Sequence, residues 1–289
     1  MSQEQNNRLG ILLMVSACFV FAIQDGISRH LAAEYNVFMV VMIRYWFFAA
    51  FVMTVTARQE GSLRASARTA QPLLQVTRGL LLTAEILIMI TAYVHLGLVE
   101  SLAIFAGYPL IVAALSGPVL GEKVGWPRWA AIGIGFVGIL VILKPGFGVF
   151  SPAAILALIS TALFAIYSVL TRLAARKDKA LTSFFWTGTV GAVVMTAIGV
   201  FHWEPMIAPD WGWMAALCVT GALGHYLLIR CYEVAEASAV QPFTYLHLAF
   251  GATLGVVVFG EALRNNVLVG TLIVVSAGIF TLLRERRKR

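Results

Sequence analysis

Asp25, Arg44, Glu85 and His225 are ionisable residues set inside, or at the edge of, long apolar runs of this sequence. A charge in the middle of a bilayer costs about 2.5 to 3.5 kcal/mol on insertion scales, so such groups are candidates for function. Glu85 stands near the middle of its run, where it either lines a cavity or acts as a structural partner for a hydroxyl or amide on a neighbouring helix. Arg44 lies about 10 Å inside its helix if that helix starts near Val37, and Asp25 ends the preceding helix on the same side. The two are placed to pair, and a tie between those helices stands ahead of direct contact with a ligand; the sharper reading is a gate whose pair is made and broken. His225 reads either as a proton carrier or as a neutral hydrogen-bonding residue.

Aromatic residues with one polar handle form a second group: Tyr93, Tyr108, Tyr167, Trp186, Tyr226 and Tyr245, each from a different apolar run. Gln241, Thr244, Tyr245 and Leu248 follow helical spacing, so the first three place polar groups on one side of a helix. Singly, each of these is ordinary packing or an interface anchor. Contributed together, they suit a mostly apolar pocket with a few orienting groups. That pocket favours a hydrophobic or aromatic amino acid over a sugar phosphate, which would require several buried Arg or Lys.

The elements that must position these residues follow from composition. Of 289 residues, 60% are hydrophobic and 12% charged, whereas soluble domains carry about 25% charged residues. This composition is that of an all-α integral membrane protein, because a span takes roughly 20 apolar residues. Ten spans are expected, at about Leu9 to Ser28, Val37 to Ala57, Leu73 to Val94, Glu100 to Leu120, Trp126 to Lys144, Pro152 to Leu173, Leu181 to Phe201, Trp211 to Cys231, Ser238 to Phe259 and Val267 to Leu283. Leu9 to Ile23 is read as the first span rather than a signal peptide, since Gln24-Asp25-Gly26 is no small-residue cleavage site. Cys18, Cys218 and Cys231 lack ligand-like spacing and read as small apolar fillers.

The chain also repeats itself. A shift of 139 residues pairs Tyr93 with Tyr232, Ala113 with Ala252, Leu115 with Leu254, Val119 with Val258, Gly121 with Gly260 and Glu122 with Glu261. Both copies end in the same apolar-Gly-Glu stop, so residues 1–146 and 147–289 are expected to be two five-helix repeats. With the N-terminus inside, seventeen Lys and Arg fall on the cytoplasmic side, Arg78 counted with the loop that holds Arg58, Arg64 and Arg68, and three on the other. Both termini are therefore expected in the cytoplasm. Five helices per copy turns the second copy upside down relative to the first, the arrangement of carriers that expose a midplane site to either side in turn.

With those stops placed, the chain resembles the drug/metabolite transporter superfamily, and within it the EamA-type exporters of ten helices. The carriers of the resemblance are Arg44, the run Ala103 to Glu122 with Tyr108-Pro109, and Ala237 to Tyr245 leading to Phe259-Gly260-Glu261. Leu248 stands where the first copy has Pro109, so the halves need not bend alike. The resemblance implies export of amino acids or other small metabolites across a bacterial inner membrane. Pro109 and Pro118 are hinge candidates. Gly117-x-x-x-Gly121 and Gly251-x-x-x-Gly255 are assigned to packing within the bundle, consistent with a monomer, ahead of self-association.

No nucleotide-binding Gly-x-x-x-x-Gly-Lys-Ser/Thr motif occurs, and the five histidines are scattered without His-Glu-x-x-His. A membrane-embedded lipid-modifying enzyme is the distant rival, and an uncoupled facilitator the near one. The net charge of +7 is spread over loops and the C-terminus, not an aromatic-interleaved patch. Small molecules and lipid, not nucleic acid, are the expected partners, and no cofactor or metal is expected.

Overall fold

A computed structural model describes residues 7–60, 62–121, 125–143, 151–235 and 241–286. Among them every regular element is a helix, as expected where a backbone without water must satisfy its own hydrogen bonds. The first half consists of α1 (Asn7–Glu34), α2 (Val37–Glu60), the short α3 (Leu63–Ala67), α4 (Pro72–Leu96), α5 (Leu98–Phe105), α6 (Tyr108–Leu120) and α7 (Trp126–Leu143). The second half consists of α8 (Pro152–Ala174), α9 (Ala180–Gly199), α10 (Ala208–Val234), a 3-10 turn at Gln241–Tyr245, α11 (Leu246–Phe259) and α12 (Asn265–Arg286). Among the described residues six helical segments are long and apolar enough to cross a membrane: Arg8–Glu34, Val37–Arg58, Pro72–Leu96, Leu98–Leu120, Pro152–Ala174 and Leu181–His202. Trp129–Leu143, Phe243–Phe259 and Asn265–Phe280 are shorter apolar helices.

Local chemistry explains the boundaries. Ser151 caps α8 by accepting the Ala154 N–H at 3.2 Å, with Pro152 next in the chain. Gly121 and Gly260, the glycines of the two repeated stops, end α6 and α11 in the left-handed conformation, φ 73° and 65°, which a side chain would strain. Glu122, Lys123, the Lys144-Pro145-Gly146 stop and Ala237 to Val240 lie outside the described residues.

The expected single helix from Glu100 to Leu120 is broken. It divides at Ala106-Gly107 into α5 and α6, and Pro109 sits in the first turn of α6. Proline has no N–H to donate and clashes with the preceding turn, so the ladder restarts there. Pro118 lies inside α6 without interrupting it.

The halves interlock rather than lie side by side. α1 packs along α10 and α11, α2 along α9, α4 along α8 and α9, α5 along α11, and α7 along α12. Small residues permit the closest crossings. Cβ atoms added at Gly138 and Gly270 would stand 2.9 and 2.5 Å from each other's carbonyl oxygens, where α7 meets α12. At Gly251 and Gly255 they would strike Leu102 and Val99 of α5 at 2.1 and 2.7 Å, so this small-residue pair serves packing within the chain.

At one end of the bundle Glu261 clasps the halves together. Its carboxylate pairs with Arg29 and accepts the backbone N–H groups of Leu98 at 2.7 Å and Val99 at 2.8 Å, at the start of α5. Arg29 also lies 4.1 Å over the Phe259 ring, and Arg264 pairs with Glu100 beside it. Helix N-termini favour anions, and charge-assisted bonds are about twice as strong as neutral ones. Glu261→Ala should lower stability by about 2 to 4 kcal/mol, read as a fall in melting temperature in detergent, whereas Glu261→Gln should retain part of the loss as an uncharged acceptor.

Candidate functional site

Three polar residues on α1, Gln24, Asp25 and Ser28, are buried where the halves meet. Asp25 does not pair with Arg44. Its Oδ2 lies 2.8 Å from His247 Nε2 on α11, so the expected tie between α1 and α2 is instead a tie between α1 and the second half. The reason is rotational: α1 lies against α11 on the face that carries Asp25. Tyr93 of α4 stands beside Asp25. The Phe21 ring separates the two histidines, 6.1 Å from His247 and 5.3 Å from His225.

Arg44 faces α10 across a small closed cavity of about 10 Å³, room for about one water. Tyr45, Phe48, Ile86, Cys218, Gly221 and His225 share the lining. His225 stacks on Phe48 at 5.5 Å with 23° between the planes. Among the described residues Arg44 has no carboxylate within salt-bridge distance.

Glu85 is buried on α4 and accepts the Ser160 hydroxyl of α8 at 3.1 Å. One face of α8 then carries Phe164 and Tyr167. With Phe105 and Tyr108 these form an aromatic ladder: Phe105 to Tyr108 at 5.1 Å, Tyr108 edge-on to Phe164 at 4.9 Å, Phe164 to Tyr167 at 5.9 Å. Thr244 hydrogen-bonds Tyr108, and the neighbouring Tyr245 hydroxyl is buried without a partner against Gly278. The start of α6 therefore meets the turn before α11, the corresponding stretches of the two halves.

The ladder ends at Arg78, whose guanidinium carbon lies 5.2 Å over the Tyr167 ring. Counted with a basic loop in the sequence, Arg78 is in fact two turns inside α4 and only 1% exposed. It donates to Thr171 Oγ1 at 2.9 Å and to Gln75 Oε1. Gln75 in turn donates to Asp178 at 2.8 Å and to Ser183 at 3.1 Å.

Other candidates are placed elsewhere. Trp186 donates to the Ala67 carbonyl at 3.1 Å and holds the α3 segment. Tyr226 is 39% exposed and joins none of these contacts. Gln241 opens the turn before α11, and its side chain lies outside the described residues. Gln24, Arg78 and His247 were missed. Arg78 was hidden by its place between a loop and an apolar run, and His247 by the 222 residues that separate it from its partner. Among the described residues no group of His, Cys, Asp and Glu could hold a metal ion.

The family model of the EamA-like transporters matches residues 8–144 and again residues 151–283. The chain belongs to the EamA-like transporter family. It is 27% identical over 285 residues to an S-adenosylmethionine uptake transporter of Rickettsia prowazekii, covering 96% of this chain and 94% of that one. A riboflavin transporter of Vibrio cholerae is 25% identical over 290 residues, covering 100% and 97%. A pseudopaline exporter of Pseudomonas aeruginosa is 25% identical over 275 residues, covering 93% and 94%. A crystal structure 17% identical in sequence, covering 96% of this chain and 98% of that one, superposes with a TM-score of 0.64 and shows the same fold. The protein is a multi-pass membrane protein of a transporter family with small-molecule substrates.

The Arg78 network reaches the aqueous side through Asp178, in the turn between α8 and α9. Burial works against ionisation of this carboxyl, but donors from Thr69 at 2.5 Å, Gln75 at 2.8 Å and the Ala70 N–H at 3.0 Å outweigh it and hold its pKa below the ordinary value. Stability from a depressed carboxyl is present in full above its ordinary pKa of about 3.9 and is lost as pH falls through the depressed value. Melting temperature in detergent should therefore hold from pH 6 down to about pH 4 and drop below it. Asp178→Asn should start lower at pH 6 and fall less.

Proposed function

We propose that this chain is a secondary carrier that moves a small ring-bearing metabolite across the bacterial inner membrane by alternating access. Ten spans in two inverted five-helix repeats, residues 1–146 and 147–289, with both termini in the cytoplasm, are part of the proposal. In favour of it, the helix contacts map onto themselves when the halves are exchanged: α1 on α10 corresponds to α8 on α4, α1 on α11 to α8 on α6, and α2 on α10 to α9 on α4.

The observation that carries the substrate class is the aromatic ladder, built by Phe105 and Tyr108 from one half and Phe164 and Tyr167 from the other. Planar rings stack on such a wall. Hydrophobic and aromatic amino acids fit it, and so do larger ring compounds of the kind named for its relatives, S-adenosylmethionine and riboflavin. Export is the proposed direction for amino acids. Proton coupling is assigned to the polar seam at Asp25, His247 and His225.

Purified protein in liposomes tests this. Labelled aromatic amino acids, S-adenosylmethionine and riboflavin should show counterflow stimulated by internal substrate, and an imposed pH gradient should raise the flux. Phe164→Ala should weaken transport of the ring substrate about tenfold, the equivalent of about 1.4 kcal/mol of ring contact. Flux without counterflow stimulation would make the protein a facilitator, and no flux of any ring compound would overturn the substrate class.

A further inference from the structure

We infer that Arg44, Gln24 and the bare backbone at Gly221 form the seat for the head group of an α-amino acid substrate, a reading that rests on the carrier proposed above and names the part of such a substrate that the seat holds. Gln24 is 5% exposed and its Oε1 has no hydrogen-bond donor among the described residues. Arg44 is 7% exposed and has no carboxylate partner among the described residues. Both border one gap: a Cβ built on Gly221 would stand 3.3 Å from Arg44 Nε and 3.3 Å from Gln24 Oε1. One turn along the same face of α1 the buried Ser28 hydroxyl also lacks a partner.

The neighbouring charges are already engaged. Asp25 is held by His247 and Glu85 by Ser160, while Tyr45 meets the Thr83 hydroxyl at 3.2 Å and His225 is stacked on Phe48. What stays without a hydrogen-bonded partner among the described residues is one buried cation, which Glu85 reaches only through space, and one buried acceptor beside it. A lone anion would satisfy Arg44 and face the Gln24 carbonyl oxygen unfavourably. A simple amine would satisfy Gln24 and be repelled by Arg44. A group that brings an anion and an N–H donor on adjacent atoms satisfies both, which is the chemistry of an α-ammonium carboxylate. Phe48, Ile86 and Cys218 wall the gap with apolar surface, against which the substituent on the α-carbon would lie. The gap has room for about one water, so α10 must move off α2 to admit a ligand.

Binding to the full-length protein in detergent, followed by thermal shift, reads this without requiring transport. The probes are the twenty amino acids and S-adenosylmethionine and, for whichever binds, its methyl ester and its deaminated acid. Each half head group should bind about tenfold or more weakly than the intact one. Arg44→Lys should retain part of the affinity and Arg44→Gln should lose it. Gln24→Leu, which adds no charge, should weaken the amino acid about tenfold while leaving the deaminated acid unchanged, a split that loss of folding cannot produce. Equal binding of ester, deaminated acid and parent would overturn the seat, as would failure of every amino acid and of S-adenosylmethionine to shift the melting temperature. Riboflavin counterflow by the same preparation separates the two failures: if it persists, the carrier reading stands and only the head-group seat falls.

Discussion

A polar side chain between apolar helices has no water to turn to, so it must be answered by another protein group or by a ligand, and the arrangement around α1 follows from that constraint. Asp25, Gln24 and Ser28 lie on the part of α1 that the other half covers. Asp25 is answered by His247, while the Gln24 carbonyl oxygen and the Ser28 hydroxyl are not. Unanswered buried groups are costly in a finished core. Their concentration on one helix face, beside a buried arginine, is what distinguishes this seam from the rest of the bundle.

The same constraint explains why the halves interlock. Several of the buried and half-buried polar contacts cross between the halves: Glu85 is bonded from α8, Arg78 from α8, Asp25 from α11, and the start of α5 from Glu261. Each contact that crosses between halves also resists their relative motion. A carrier that rocks one half against the other must exchange such contacts for others of similar strength. The Glu261 clasp, with its ion pair and two backbone bonds, is the strongest group of them at its end of the molecule.

Aromatic packing and charge divide the interior into two regions. The ladder from Phe105 to Tyr167 runs along α6 and α8 and ends at Arg78, and the seam of Asp25, Arg44 and His225 lies between α1, α2 and α10. Tyr108, bonded to Thr244, faces the turn that leads into α11, the helix that carries His247. A substrate with a ring at one end and a polar head at the other would draw on both.

Much of this was legible in the residues. Long apolar runs dictated helices, because hydrocarbon leaves the backbone no other partner, and the two Gly-Glu stops marked where left-handed glycines end α6 and α11. The break at Gly107 was half legible in Pro109, whose missing N–H forbids a continuous ladder. The candidate site was less so: Glu85, Arg44, Tyr108 and His225 were singled out by type, but Asp25 was paired with the wrong partner and Arg78 was counted only as a charge of the cytoplasmic side. Helical periodicity states which residues share a face and says nothing of which helix that face will meet. That choice was made by close packing of small residues at crossings such as Gly138 on Gly270, which turns each helix about its axis. Only tertiary structure therefore decided that Asp25 meets His247, that Tyr167 covers Arg78, and that Arg44 and Gln24 open onto one gap at Gly221.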